Sequence, residues 1–265
     1  MYTTLQLAKK YLHYLYTAKN GKGHGAHSPF VFHFILDVLN NCQGFSAPHN
    51  IEKLRAALLK EKEVLIIEDL GAGSRTSNTK KRTISQLVRS AVKPKKYSQL
   101  LYRLVKKHQP QTIVELGTSL GITTSYLASA APSSKVITIE GSTVVQKVAK
   151  SNFEKLGLKN IESMVGNFDD VLPSALNHLP SVGLAYIDCN HRYKPTMEYF
   201  NQFLAKRNNE TVMVFDDIHW SSEMEQAWEE IKEHPQVRCT IDIFFLGFVF
   251  FRDEFKEKQH FSIRF

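Results

Sequence analysis

Cysteine is scarce in this chain: its 265 residues include three, Cys42, Cys189 and Cys239, far apart in sequence. So few and so scattered, they make neither a disulfide framework nor a zinc cluster, and a reducing cytoplasm is the expected compartment. Long apolar runs are missing as well. Nothing approaches the ~20 residues needed to span a bilayer. The stretch Met1–Lys10 lacks the apolar core and cleavage site of a signal peptide. Repeats and low-complexity segments are absent. Acid is missing from one long segment. Residues 75–107 hold eleven bases (Arg75, Lys80, Lys81, Arg82, Arg89, Lys93, Lys95, Lys96, Arg103, Lys106, Lys107) and no Asp or Glu, leaving 23 bases against 26 acids elsewhere.

The formal charge of +8 is therefore local. A basic segment of this kind can attract RNA or another phosphate-bearing partner. The apolar spacing offers a plainer account. Ile84, Leu87, Val88 and Ala91 fit one buried helix stripe, and Leu101, Leu104 and Val105 fit a second, with solvated basic faces outside. The rest is ordinary for a globular chain, 43% hydrophobic and 23% charged, with ample material for a core.

Residues 4–17, 28–40 and 50–62 read as helices, the second opened by Ser28-Pro29 in the favoured cap arrangement. Asn20–Gly25 forms a flexible connector. Val64–Ile67 is a short apolar run before the loop Asp69–Ser74. From residue 97 strands and helices alternate regularly, with strands expected near 112–116, 135–140, 161–165, 183–188 and 211–216. Cys239–Phe245 and Phe248–Arg252, around Gly247, close the chain as a hairpin. The expected architecture is α/β: a Rossmann-like, doubly wound, mostly parallel seven-stranded sheet ending in an antiparallel hairpin. Residues 1–96 form a helical extension and 97–265 the ligand-binding domain.

The pyrophosphate-binding GxGxxG is also missing. Ile113-Val114-Glu115-Leu116-Gly117-Thr118-Ser119-Leu120-Gly121 carries Gly117-x-x-x-Gly121, and a second apolar strand ends at Glu140-Gly141. A strand, a glycine turn, a helix and a strand ending in carboxylate make the first βαβ unit of a nucleotide-type fold, with Glu140 placed to accept both ribose hydroxyls. Without the phosphate pattern the ligand is an adenosyl group without phosphates, which points to S-adenosylmethionine. Glu115 is a candidate partner for its ammonium group, Gly117, Thr118, Ser119 and Gly121 for close backbone approach, and Asn167 and Phe168 for the adenine. The loop Gly71-Ala72-Gly73-Ser74 resembles this turn, but no strand ending in an acid follows it. It reads as a tight turn, with a lid loop as the alternative.

Two later strands also end in acid, at Asp188 and at Asp216-Asp217. Ligands of open α/β sheets bind at the carboxyl ends of strands, so these groups converge on one crevice. Three clustered carboxylates repel unless a cation neutralises them, and oxygen ligation suits Mg²⁺. A helix N-cap is the rival role for Asp217. His191, three residues beyond Asp188, suits general-base work near neutrality. His219 and Trp220 are candidate pocket residues, and so are His24, His27, Phe30, Phe32 and His33.

Residues 97–252 resemble class I S-adenosylmethionine-dependent methyltransferases, in the metal-dependent O-methyltransferase group that includes catechol and macrolide sugar enzymes. The resemblance implies magnesium held by Asp188, Asp216 and Asp217, with Asp188 also lying against the cofactor. It implies His191 as base, at the position where the macrolide enzymes carry histidine and the catechol enzymes lysine. Asp217 departs from the asparagine of the catechol type. The implied reaction is methyl transfer to a hydroxyl of a small molecule. The alternatives are O-methylation of a hydroxylated tRNA base and a non-catalytic S-adenosylmethionine-binding protein, and a homodimer is compatible with either. Residues 1–96 match none of these relatives, so the acceptor is not transferable.

Overall fold

The computed structural model describes residues 1–22, 28–41, 48–67 and 81–265. His24, His27, Cys42, the Gly71–Ser74 loop, Arg75 and Lys80 lie outside them. By compactness the chain divides into residues 42–178 and a second unit formed by 1–41 with 179–265. That division differs from the one expected at 96/97.

In the 42–178 unit, α3 (His49–Leu58) leads to an antiparallel ribbon of β1 (Val64–Ile66) and β2 (Lys81–Thr83). The second of these strands has no apolar signature and was not expected. α4 (Ile84–Ala91) starts at a capping box, Thr83 with Gln86, and buries Ile84, Leu87 and Val88. α5 (Lys95–His108) buries Leu101, Leu104 and Val105 and ends on Gln109 in the left-handed conformation. Of the basic residues, Lys81, Arg89, Lys95, Lys96, Lys106 and Lys107 are exposed, whereas Arg103 is buried. β3 (Thr112–Leu116), α6 (Ile122–Ala130), β4 (Lys135–Glu140), α7 (Thr143–Lys155), β5 (Ile161–Val165) and α8 (Phe168–Asn177) follow, with β3, β4 and β5 parallel. A polar clamp ties α3 to its neighbours. Arg55 binds Glu52 at 3.0 Å, the Lys93 carbonyl at 2.8 Å and Ser98 Oγ at 3.2 Å, and Tyr126 donates to Glu52 at 2.6 Å.

The other unit contains α1 (Thr4–Thr17), α2 (Pro29–Phe34) and its π-helical continuation Ile35–Leu39. Its later elements are β6 (Leu184–Ile187), α9 (Tyr193–Leu204), β7 (Val212–Asp216), α10 (Ser222–Glu233), β8 (Cys239–Asp242), β9 (Leu246–Phe250) and β10 (Gln259–Ser262). β6 and β7 are parallel and buried throughout, as their unbroken apolar runs require of strands covered on both faces. β9 is antiparallel to both β7 and β8, the expected hairpin. Gly247 is where the indole of Trp228 approaches the strand: a Cβ there would lie 2.6 Å from Cη2. Phe30 and Phe34 of α2 pack edge-on against Phe250 and Phe248. Phe30 is thus a packing residue, while Phe32 and His33 face solvent.

The strand order is β10-β8-β9-β7-β6-β3-β4-β5, a mostly parallel sheet of eight strands. The seven expected strands are present. The eighth, β10, runs parallel to β8 from a polar Gln-His-Phe-Ser segment that gives no strand signal. Among the described residues no helix is long and apolar enough to cross a membrane.

Candidate functional site

The glycine turn begins where β3 ends. Gly117 (φ 100°), Ser119 (φ 48°) and Gly121 (φ 77°) all adopt left-handed backbone, which reverses the chain into α6. The turn consumes its own donors. The Gly117 and Thr118 N–H groups bond to the Ile139 carbonyl at 3.0 and 3.3 Å, and Gly121 N–H bonds to the Thr118 carbonyl at 2.9 Å. The Ser119 N–H donates to Glu140 Oε2 at 2.8 Å. These four amides are therefore not available as a phosphate-binding nest, which fits a ligand lacking phosphates.

Glu140 is held from both sides. Its other oxygen, Oε1, accepts from Ser142 N–H at 3.0 Å. The carboxylate is thus fixed in orientation, and a carboxylate is the kind of group that can accept both hydroxyls of a vicinal diol. The donor chemistry fits the adenosyl ligand. Glu115 is fully buried, and its Oε2 accepts from Thr124 Oγ1 and, at 2.6 Å, from Thr138 Oγ1. Those hydroxyls direct the carboxylate between α6 and β4.

The bareness of Gly121 also has a packing consequence. A Cβ on it would lie 2.5 Å from Phe153 Cε1 and 3.2 Å from Ala149 Cβ, so its bareness lets α7 pack against the start of α6. Gly141 lies beyond β4, next to Ser142, the N-cap of α7. Asn167 is exposed and caps α8 by accepting from Asp169 N–H, whereas Phe168 is buried on the first turn of that helix.

In the other unit, one ligand atom each from Asp188, His191 and Asp216 can be chosen so that all lie within 4.8 Å of one another. Asp188 follows β6, and its Oδ2 accepts from Tyr186 OH at 3.1 Å. Two consecutive left-handed residues, Asn190 (φ 58°) and His191 (φ 30°), fold the chain back. Asn190 is anchored by Nδ2 to Tyr199 OH at 2.6 Å. This places His191 Nε2 3.6 Å from Asp188 Oδ1. Asp216, the last residue of β7, is 2% exposed. Two carboxylates with an imidazole suit a divalent cation, and the nitrogen widens the choice from Mg²⁺ toward Mn²⁺ and other first-row ions.

Asp217 is not brought into this group. Its backbone turns left-handed (φ 52°), with its N–H on the Phe245 carbonyl at 2.8 Å. It lines a separate small cleft with Leu7, His219, Trp220, Phe244 and Phe245. Asp216 ends β7 whereas Asp217 begins the turn, so the two neighbouring acids stand on differently directed backbone. The positions of Tyr186 and Tyr199 as supports, and a bridge through His219 described below, carry no local sequence signal.

Residues 114–218, a span that contains the glycine turn, Glu140, Asp188, His191, Asp216 and Asp217, match the protein family described as Methyltransferase domain. A catechol O-methyltransferase from Niastella koreensis is 30% identical over 126 residues, which are 46% of this chain and 55% of that protein. The chain thus spans about half the length of this curated relative. A cofactor-bound protein from MTB superposes with a TM-score of 0.60 at 19% identity, over 80% of this chain and 93% of that one. An O-methyltransferase from Bacillus cereus in complex with SAH does so with a TM-score of 0.52 at 22% identity, over 60% and 82%. Over residues 114–218 the chain is thus similar to a methyltransferase domain, and its sheet has the fold of the solved structures that superpose on it.

Proposed function

We propose that the protein transfers the methyl group of S-adenosylmethionine to a hydroxyl oxygen of a small molecule, with a divalent cation held at Asp188 and Asp216 beside His191. The gathering of those three side chains within 4.8 Å is the observation that carries the reading. A bound divalent cation would neutralise the carboxylates and make a coordinated hydroxyl more acidic. Tyr186 orients Asp188, and the turn anchored by Asn190 aims His191. The imidazole, 3.6 Å from Asp188, is placed to take the acceptor's proton, and the carboxylate would stabilise the imidazolium formed. Glu140, steadied by Ser119 and Ser142, binds the ribose. Holding donor and acceptor in line supplies much of the acceleration.

The same imidazole is close enough to serve as a third ligand, and one titration separates the roles. In His191→Ala a base gives unchanged Mn²⁺ affinity with a lost pH dependence of turnover, whereas a ligand gives weakened Mn²⁺ binding. The function itself is tested with labelled cofactor against catechols and hydroxylated glycosides, with and without EDTA. Absence of S-adenosylmethionine binding by calorimetry in the presence of Mg²⁺ sinks the enzyme reading, and activity that survives EDTA sinks the metal.

A further inference from the structure

The turn after β7, Asp217–Trp220, is held largely by residues distant in sequence. Tyr2 N–H donates to the Trp220 carbonyl at 3.1 Å. Tyr2 OH and Lys10 Nζ both donate to Glu225 Oε2, at 2.6 and 2.9 Å. The other oxygen of Glu225 lies 3.0 Å from His219 Nδ1, and His219 Nε2 lies 2.9 Å from Asp242 Oδ2. Asp242 Oδ1 accepts from Phe244 N–H at 2.7 Å. Phe244 is held left-handed (φ 72°) with its ring stacked on His219 at 5.0 Å and packed against Tyr11 and Tyr14 of α1.

A histidine with a carboxylate oxygen on each ring nitrogen makes both bonds only if both nitrogens carry hydrogen. Burial, the largest single influence, lowers its proton affinity, but the combined pull of Asp242 and Glu225 more than offsets it. The bridge is therefore an imidazolium between two acids. It joins α1, the start of α10 and the end of β8 around one turn. That turn carries Trp220, whose ring centre is 6.2 Å from that of His191.

We propose that Tyr2, Lys10, Glu225, His219 and Asp242 are positioning residues, which fix Trp220 beside His191 and so make the N-terminal helix part of the candidate site. The catalytic consequence rests on the function proposed above; the positioning of Trp220 does not. The test pairs a spectroscopic readout with a kinetic one. Trp228 is 1% exposed, so acrylamide quenching reports chiefly on Trp220. In the Tyr2→Phe, Lys10→Met double variant the expected result is stronger quenching and a red-shifted emission, with kcat lowered about tenfold through misalignment and the KM for S-adenosylmethionine unchanged. Lys10→Arg, with Tyr2 intact, should restore both. His219→Gln should reproduce the effect, and if it does not fold, the double variant decides. Quenching and kcat that stay at wild-type values while only the melting temperature falls would show a purely structural network and overturn the proposal. If the wild type transfers no methyl group, the function above has failed, and the quenching result still stands or falls on its own.

Discussion

Replacing Gly121 by alanine tests the reading that this glycine serves packing between helices. Two costs can be worked from the structure. Gly121 sits at φ 77°, where a Cβ costs about 1–2 kcal/mol. That Cβ would also lie 2.5 Å from Phe153 Cε1 and 2.8 Å from Cζ, an overlap the buried ring cannot swing away from. Overpacking of this kind costs about 1–3 kcal/mol. The sum, roughly 2–5 kcal/mol, corresponds to a fall of at least about 4 °C in melting temperature for a chain of this size. A double-mutant cycle with Phe153→Leu, followed by thermal and urea unfolding, separates the costs. Leucine lacks the two clashing atoms, so the coupling energy should recover the overpacking part, about 1–3 kcal/mol, and leave the backbone part. The double variant should also bind S-adenosylmethionine as the wild type does. Zero coupling, or cofactor affinity lost by more than about tenfold (1.4 kcal/mol) in a variant whose stability has recovered, would refute the reasoning.

Three further outcomes are expected. Glu140→Gln loses the anionic acceptor of the turn and, at about 1.5–3 kcal/mol for a hydrogen bond to a charged group, should weaken cofactor binding about 10–100-fold by calorimetry, leaving Mn²⁺ affinity unchanged. Tyr126→Phe removes the bond to Glu52 at the α3 clamp; burial pushes that phenol far up, so it donates at any accessible pH. Loss of the bond should cost about 1–3 kcal/mol in urea unfolding with no effect on methyl transfer. The His219 bridge makes stability depend on pH. Its proton affinity is raised above the ordinary 6.5, so its contribution is complete below that value and fades as pH rises through the folded-state pKa. Glu225, lowered from 4.5 by Tyr2, Lys10 and His219 against the opposing and largest effect of burial, contributes above 4.5 and fades as pH falls through its own folded-state pKa. His234 and His260, held down by burial, favour the neutral form and oppose the His219 trend. The wild type minus His219→Gln therefore isolates it: their stability difference should shrink as pH rises above 6.5, and a difference that grows would reverse the sign assigned here.

What the sequence determined by itself is the βαβ unit with its acid. β3 and β4 fall where the β-branched runs lie, 112–116 and 135–140, and Glu140 closes the turn by accepting from Ser119. Strand and helix periodicities and glycine punctuation are local properties, set by which face of a short segment must be buried. The apolar stripes of α4 and α5 were legible for the same reason, except that Ala91 of the expected stripe is exposed. β2 and β10 escaped because their pairing supplies the order that their polar residues do not announce.

The tertiary structure decided where side chains point. It separated Asp217 from Asp216, gathered His191 with Asp188 and Asp216, and sank Glu115 between two threonines. It gave Gly121 a neighbour in Phe153 and made residues 2, 10, 219, 225 and 242 a single polar network. Left-handed backbone at residues 190, 191, 217 and 244 sets several of these directions, and non-glycine side chains hold it only where surrounding contacts over-determine it. Some of the supporting contacts are local, Asn190 with Tyr199 among them, but Tyr2 and Lys10 reach Glu225 across more than two hundred positions, beyond any window along the sequence.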